Sequence, residues 1–293
     1  MISRGSILAA IVIAELAIVG TAIVAVRGDQ IGPSFAPPAF AQFTHGSHLI
    51  EGGPHQLFYI GPHPSLTVDI GYADLTIQSG KAGQIDVSVS PSPDFGIFRS
   101  KEPISATKDR QTVRITTPSQ HGITTGDNRM VTVVVPEGTS VSVVHAGDIR
   151  ASGLRAEASF SSLGNGFIRI EDYDGPALHL TASRGSVTMH AVAAQHLEVS
   201  ARDDRIEGTG LRVHDGSIEG GDRVTLGFAP GTNTVVNADT DDGRITATGL
   251  NATAAGKKGD DDDSSSQTVR VGAGNGSLDV HTSDGNINLV QEN

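Results

Sequence analysis

Gly147-Asp148-Ile149, Gly166-Phe167-Ile168, Gly185-Ser186-Val187 and Asp204-Arg205-Ile206 are the stretches that decide the fold. Each is a turn-forming residue, one variable residue and a branched aliphatic. The units start at 147, 166, 185 and 204, each 19 residues after the last. Chance does not readily give three equal intervals, so the chain reads as a repeat. The same unit returns as Gly216-Ser217-Ile218, Gly243-Arg244-Ile245, Gly276-Ser277-Leu278 and Gly285-Asn286-Ile287. The residue before the Gly is Asn165, Asp215, Asp242, Asn275 or Asp284, whereas Ala146 and Arg184 depart from this pattern. Asx-Gly pairs supply the positive φ of tight turns between strands.

A second alternating strand lies upstream of each turn. Leu178 and Leu180 stand before Gly185 as Leu197 and Val199 stand before Asp204, Val236 and Ala238 before Gly243, and Val269 and Val271 before Gly276. Ala158 and Phe160 are displaced by one relative to Gly166, which implies a bulge or an extra turn residue. Each unit is therefore strand, turn, strand, loop, with aliphatics on one face and polar residues on the other. One unit cannot bury its apolar face alone, but stacked units can. The expected fold is all-β: a parallel β-helix-like solenoid of about 19-residue coils, stacked at ~4.8 Å. The alternative is an antiparallel sandwich, with Asp284-Gly285 joining two strands of a hairpin. The aliphatics of the repeat, Ile149, Ile168, Val187, Ile206, Ile218, Ile245, Leu278 and Ile287, should point inward.

Working outward, the stretches Leu57–Ile60, Leu66–Ile70, Leu75–Gln78, Ile85–Val89, Val113–Thr116 and Met130–Val135 alternate as strands, less regularly than the second half. No boundary is visible between them and the repeats, so residues 49–293 are read as one β-repeat ectodomain. Gly243 and Gly276 are 33 residues apart. Removing an acidic loop insertion at about 256–266, which holds Asp260 to Asp263, restores roughly the repeat length.

The amino terminus is of another kind. Ile7 to Val26 is apolar apart from Glu15, and as a helix at ~1.5 Å per residue it is about 30 Å long, the thickness of a bilayer core. Glu15 costs roughly 3 kcal/mol on insertion scales and the Ile, Leu and Val residues return about 5, so insertion is favoured. Residues 1–27 are read as one N-terminal transmembrane signal-anchor, with a cleaved signal peptide ending near Ala39-Phe40-Ala41 as the other reading. Residues 28–48, with Gly32, Pro33, Pro37, Pro38 and Gly46, form a Pro/Gly stalk. The short amino-terminal flank puts the carboxy-terminal part outside the cytoplasm, on a single-pass protein of the cell membrane.

Composition excludes several classes. The net charge of −12 argues against nucleic acid and against docking on anionic lipid. With no Cys there is no disulfide and no zinc ribbon. With no Trp and 4% aromatics the core must be built in thin aliphatic layers.

The run Val131-Thr132-Val133-Val134-Val135-Pro136-Glu137-Gly138-Thr139-Ser140-Val141-Ser142-Val143, followed by Gly147-Asp148-Ile149, resembles the junction found in a bacterial putative-adhesin, beta-strand-repeat family of unknown function. The resemblance covers roughly residues 50–293 and implies a β-helix-like fold and an envelope location. It implies no catalytic residues. The chain departs from the family pattern at Asp203-Asp204 and after Gly256.

No catalytic, cofactor-binding or metal-ligating residue stands out. Four consecutive Asp lack the alternating ligands and turn Gly of a calcium loop. His45, His48, His55 and His63 lie among Gly and Pro rather than on rigid elements. His179, His190 and His214 fall on the polar side of repeat strands, and Asp203, Asp204, Asp222, Asp239, Asp241 and Asp242 read as acidic turns. No P-loop or nucleophile elbow is present. The expected function is that of a non-catalytic, membrane-anchored envelope protein presenting a β-solenoid surface for adhesion, scaffolding or sensing, with an unknown envelope or surface partner and no cofactor. The alternative is a carbohydrate-active or carbohydrate-binding β-helix protein. Sugar sites favour aromatic platforms, so carboxylates gathered near Tyr59, Tyr72 or Tyr173 would support it.

Overall fold

Alternation of apolar and polar residues gives strands with one buried side, and in-register stacking of such strands closes the core between them. The computed structural model describes residues 47–49, 56–71, 73–91, 104–117, 129–255 and 264–293. The expected membrane segment with Glu15, most of the stalk, and the Asp260–Asp263 run lie outside the described residues. Among the described residues there is no helix, and strands form a continuous sheet that winds into coils.

Each coil contributes to two parallel ladders. In the leading ladder, which follows each turn, Val131, Leu75, Ile149, Ile168, Val187, Ile206, Val224, Ile287 and Ile245 are cross-strand partners in that order. In the trailing ladder the order is Val113, Leu66, Val141, Ala158, Leu178, Leu197, Gly216, Leu278 and Val236. The three long strands Ile168–Ala182, Val187–Ala201 and Ile206–Gly220 run through both ladders, and consecutive ones pair with the 19-residue offset read from the sequence. The solenoid is thus parallel. Asp284-Gly285 links a trailing strand to a leading strand across the coil, so it is not a hairpin turn.

The expected inward residues are buried, with Ile149, Ile168, Val187, Ile206, Leu278 and Ile287 fully so. Ile245 is only partly covered, because among the described residues its strand, Ile245–Thr248, is the last rung of the leading ladder and pairs on one side only.

Two repeat units sit elsewhere than expected. Gly216 and Leu278 pair with each other in the trailing ladder, so Gly216-Ser217-Ile218 and Gly276-Ser277-Leu278 are not coil turns. The turn of the first of these coils is at Gly221-Asp222-Arg223, which leads to Val224. Val269 and Val271 belong to the strand Ser265–Val271, which runs antiparallel to both Thr234–Thr240 and Asn251–Ala255. The extra length after Gly243 is therefore built into an antiparallel hairpin flanking the trailing ladder. Ser265 and Ser266 belong to its strand and not to a loop. The displacement at Ala158 is one extra turn residue, and the exposed Leu163 lies in that turn.

Stacking dictates the glycines. A Cβ on Gly166 would overlap the Gly147 carbonyl of the adjacent coil, and one on Gly185 that of Gly166. Gly243 and Gly285 are blocked in the same way by Gly285 and Asp222. None of these four lies in the left-handed region. The Asx-Gly turns thus use Gly for close approach of backbones, not for positive φ as the dipeptide suggests. At the opposite corner, left-handed residues stand four after Ile149, Ile168, Val187 and Ile206: Gly153, Asp172, Ala191 and Gly210, at φ 73, 52, 53 and 67°. Arg155 clasps the Asp172 carboxylate with two bonds of 3.0 and 2.9 Å. Ala191 has no side chain that could make such a bond, and an L-residue there costs about 1–2 kcal/mol. Ala191→Gly should therefore raise stability by about 0.5 kcal/mol after the flexibility of Gly is counted. A lowered midpoint in thermal unfolding would contradict this.

The turns also leave carbonyl oxygens facing inward. One trailing-ladder row, at the last residue before each turn, supplies donors to them. Ser162 donates to Gly166 O, Thr240 to Gly285 O, and Thr282 to Asp222 O, all from buried hydroxyls. His145 occupies the same row and lies against the Ile70 and Ala73 carbonyls, with burial pushing its imidazole towards the neutral form.

Candidate functional site

Strand alternation sends every second residue outward, and the 19-residue register stacks these residues into rows across the coils. On the trailing ladder the rows bring unlike groups together. His179 pairs in register with Glu198, and His196 with Asp215. The His179 Nδ1 lies 2.8 Å from Glu198 Oε2, and the other oxygen of that carboxylate is 3.0 Å from His196 Nε2. His196 Nδ1 is 2.9 Å from Asp215 Oδ1, and His214 Nδ1 is 3.5 Å from Asp215 Oδ2. Five side chains thus alternate imidazole and carboxylate across three coils.

His196 holds carboxylates at both ring nitrogens. Its hydrogen bonds to Glu198 and Asp215 raise its pKa above the ordinary histidine value, against a small desolvation effect. The same bonds hold the Glu198 and Asp215 carboxyls below theirs, with His196 the main cause in each case.

A second group on this ladder repeats the arrangement more loosely. His281 Nδ1 is 3.5 Å from Asp239 and Nε2 is 3.9 Å from Asp241. Donor atoms of these three residues lie within 4.8 Å of one another, close enough to consider a metal ion. However, the two carboxylates lie nearest opposite ring nitrogens, and both are exposed. The arrangement fits a histidine between two acids better than a preorganised metal centre.

The leading ladder's outer face carries pairs within single coils. Arg169 meets Glu171 at 2.6 Å and Arg205 meets Glu207 at 3.4 Å, while the Arg150 guanidinium sits 4.6 Å over the Phe167 ring. A shallow polar depression near Asp242, Arg244, Asn286 and Asn288 lies at the last rungs of that ladder. Exposed pairs of this type contribute about 0–1 kcal/mol each.

His190 bonds the Thr209 hydroxyl at 2.9 Å and is exposed, and His214 is exposed. His63 is exposed with φ 57°. His45 and His55, the side chain of His48, and Tyr72 lie outside the described residues. Asp203, Asp204, Asp222, Asp241 and Asp242 occupy turns, whereas Asp239 faces outward from the strand Thr234–Thr240. The last acid of each turn is followed within two residues by an arginine, Arg205, Arg223 or Arg244. Tyr173 is buried at the coil corner, its hydroxyl shared between the Ala156 and Ala177 carbonyls. Tyr59 is 71% exposed on the strand Gln56–Tyr59. Sequence alone does not mark Glu198, His196 or His281, although the repeat length predicts the partners of the first two: 179 and 198, and 196 and 215, are each one coil apart.

Solved structures with similar folds include a putative adhesin from Bacteroides fragilis, which is 12% identical and matches over 82% of this chain and 96% of that one, with a TM-score of 0.48. A putative cell adhesion protein from Clostridium sporogenes is 14% identical over 82% of this chain and 99% of that one, with a TM-score of 0.35. No curated protein matches the chain. The profile of the Toastrack DUF4097 family matches residues 63–292. That span takes in both ladders and every coil from Leu66 to Ile287, and the chain belongs to the Toastrack DUF4097 family.

Proposed function

We propose that this chain is a non-catalytic display domain, held at the cell membrane by its amino-terminal segment and exposed outside the cytoplasm. Its ladder faces would serve adhesion, scaffolding or sensing. The observation that carries this reading is the state of the outward side chains. Carboxylates, imidazoles and guanidinium groups on both faces are engaged with one another in rows, on broad strand surfaces rather than in a cleft. Catalytic groups instead converge on a substrate-sized hollow. The similar structures described as adhesins agree with the reading without carrying it.

The carbohydrate-active alternative loses Tyr173 as an aromatic platform, because that ring is packed inside. The full chain, assayed on polysaccharides, peptides and phosphoesters from about pH 4 to about pH 9, should show no turnover. Release of reducing or unsaturated ends that disappears on changing Asp203 and Asp204 to Asn would overturn the display reading. Proteins co-purifying with the chain, but not with a variant carrying Lys at Glu198 and Glu219, would identify the partner and the face that it uses.

A further inference from the structure

The alternating row on the trailing ladder has a property that a set of surface ion pairs lacks. A neutral imidazole donates from one nitrogen and presents a lone pair at the other, whereas an imidazolium donates from both. His196 has a carboxylate oxygen within 3.0 Å of each ring nitrogen, one from its own strand and one from the next coil. Only the charged ring satisfies both contacts. Removing its proton turns one of them into a repulsion between lone pair and carboxylate. Glu198 is shared with His179 from the preceding coil, so the contacts run through the strands Ile168–Ala182, Val187–Ala201 and Ile206–Gly220 without a break.

We propose that His179, Glu198, His196, Asp215 and His214 form a proton-operated clasp that ties three successive coils together when His196 is charged and slackens when it is neutral. The clasp goes beyond the display reading and does not require it.

The surroundings leave the device free to work. The cross-strand neighbour of Glu198 away from His179 is Ser217, followed by Asp279. Asp215 is followed by Ser277, Val235 and then Arg270, three strands away. Glu219 and His281 occupy a separate row, and Ser159 flanks His179 on the strand Ala158–Ser162. Among the described residues no lysine or arginine is paired with either carboxylate; Arg212, on the same strand, lies three residues before Asp215.

The sign of the stability effect follows from the directions already given. His196 is raised, so its contribution is complete below the ordinary imidazole pKa of about 6.5 and is lost as pH rises through its folded value. Glu198 and Asp215 are lowered, so theirs is present above the ordinary carboxylate range and is lost as pH falls through their folded values. The clasp is therefore tightest between about pH 5 and about pH 6.

The test compares thermal unfolding of the full chain, in detergent, with His196→Gln and His190→Gln. Gln keeps hydrogen-bonding capacity but does not titrate, and His190 faces a hydroxyl rather than a carboxylate. The wild-type midpoint should exceed that of His196→Gln by about 2 °C near pH 5.5, and the gap should close by about pH 8.5. The His190→Gln gap should not change with pH. A His196→Gln gap that is equal at both pH values overturns the proposal. If that variant does not fold, titration of the His196 ring resonances in the wild-type chain decides. A midpoint above that of an exposed histidine supports the clasp, and one at or below it overturns the clasp.

Discussion

Replacing Val187 with Asp should leave no cooperatively folded protein. Val187 is fully buried in the middle of the leading ladder, between Ile168 on one coil and Ile206 on the next. The variant loses the burial of an aliphatic side chain, about 1.5 kcal/mol. It also puts a carboxylate where the neighbouring side chains are hydrocarbon, which costs several kcal/mol more even after partial relaxation. The sum, roughly 5 kcal/mol, is comparable with the whole stability of many domains. Circular dichroism and thermal unfolding check it directly. A midpoint within two or three degrees of wild type would mean that position 187 is not in the core and that the repeat register is wrong.

Gly166→Ala should be nearly as damaging, although it adds one methyl group. In most surface turns that exchange is neutral or mildly stabilising, since it stiffens the unfolded chain. Here the new Cβ would sit inside the carbonyl group of Gly147 on the adjacent coil, and backbone cannot step aside as a flexible side chain can. The coils would have to separate locally, breaking ladder hydrogen bonds, at about 3 kcal/mol. Gly138→Ala is the matched control: nothing lies within 4 Å of its Cβ position, and it should be stable or slightly stabilised. Equal unfolding midpoints for the two variants would refute the close-stacking account of the glycines.

The contrast between these two glycines marks what was legible in the sequence. The period, the inward aliphatics and the parallel stacking could be read because burial imposes hydrophobic alternation and the coil length imposes spacing. The role of Gly166 could not, because Asn-Gly looks the same whether it turns by positive φ or merely admits a neighbouring backbone. Gly216 and Gly276 misled for a related reason. Each starts a Gly-x-aliphatic unit, but their aliphatics line the trailing strand, and the one-dimensional pattern carries no label for the ladder. Of the candidate site, the pairs 179 with 198 and 196 with 215 lay within reach of the period, since residues one coil apart are neighbours. His281 with Asp239 did not, because those residues meet across coils that are out of chain order.

That order has a consequence for how the molecule is made and how it could evolve. Leu75 lies between Val131 and Ile149, and Ile287 between Val224 and Ile245. As the chain leaves the ribosome, the coil containing Ile245 has no seat until the strand Ile287–Gln291 emerges, 42 residues later by the offset of the Arg244–Asn286 bond. Its folding waits on that later strand, and such distant pairings are slow to form. Trimming the carboxy terminus would not shorten the stack by its last rung; it would remove the rung beneath. A simple array can lengthen by copying a unit at either end. Here order along the chain and order in space agree from Ile149 to Val224, and a copied coil fits within that stretch.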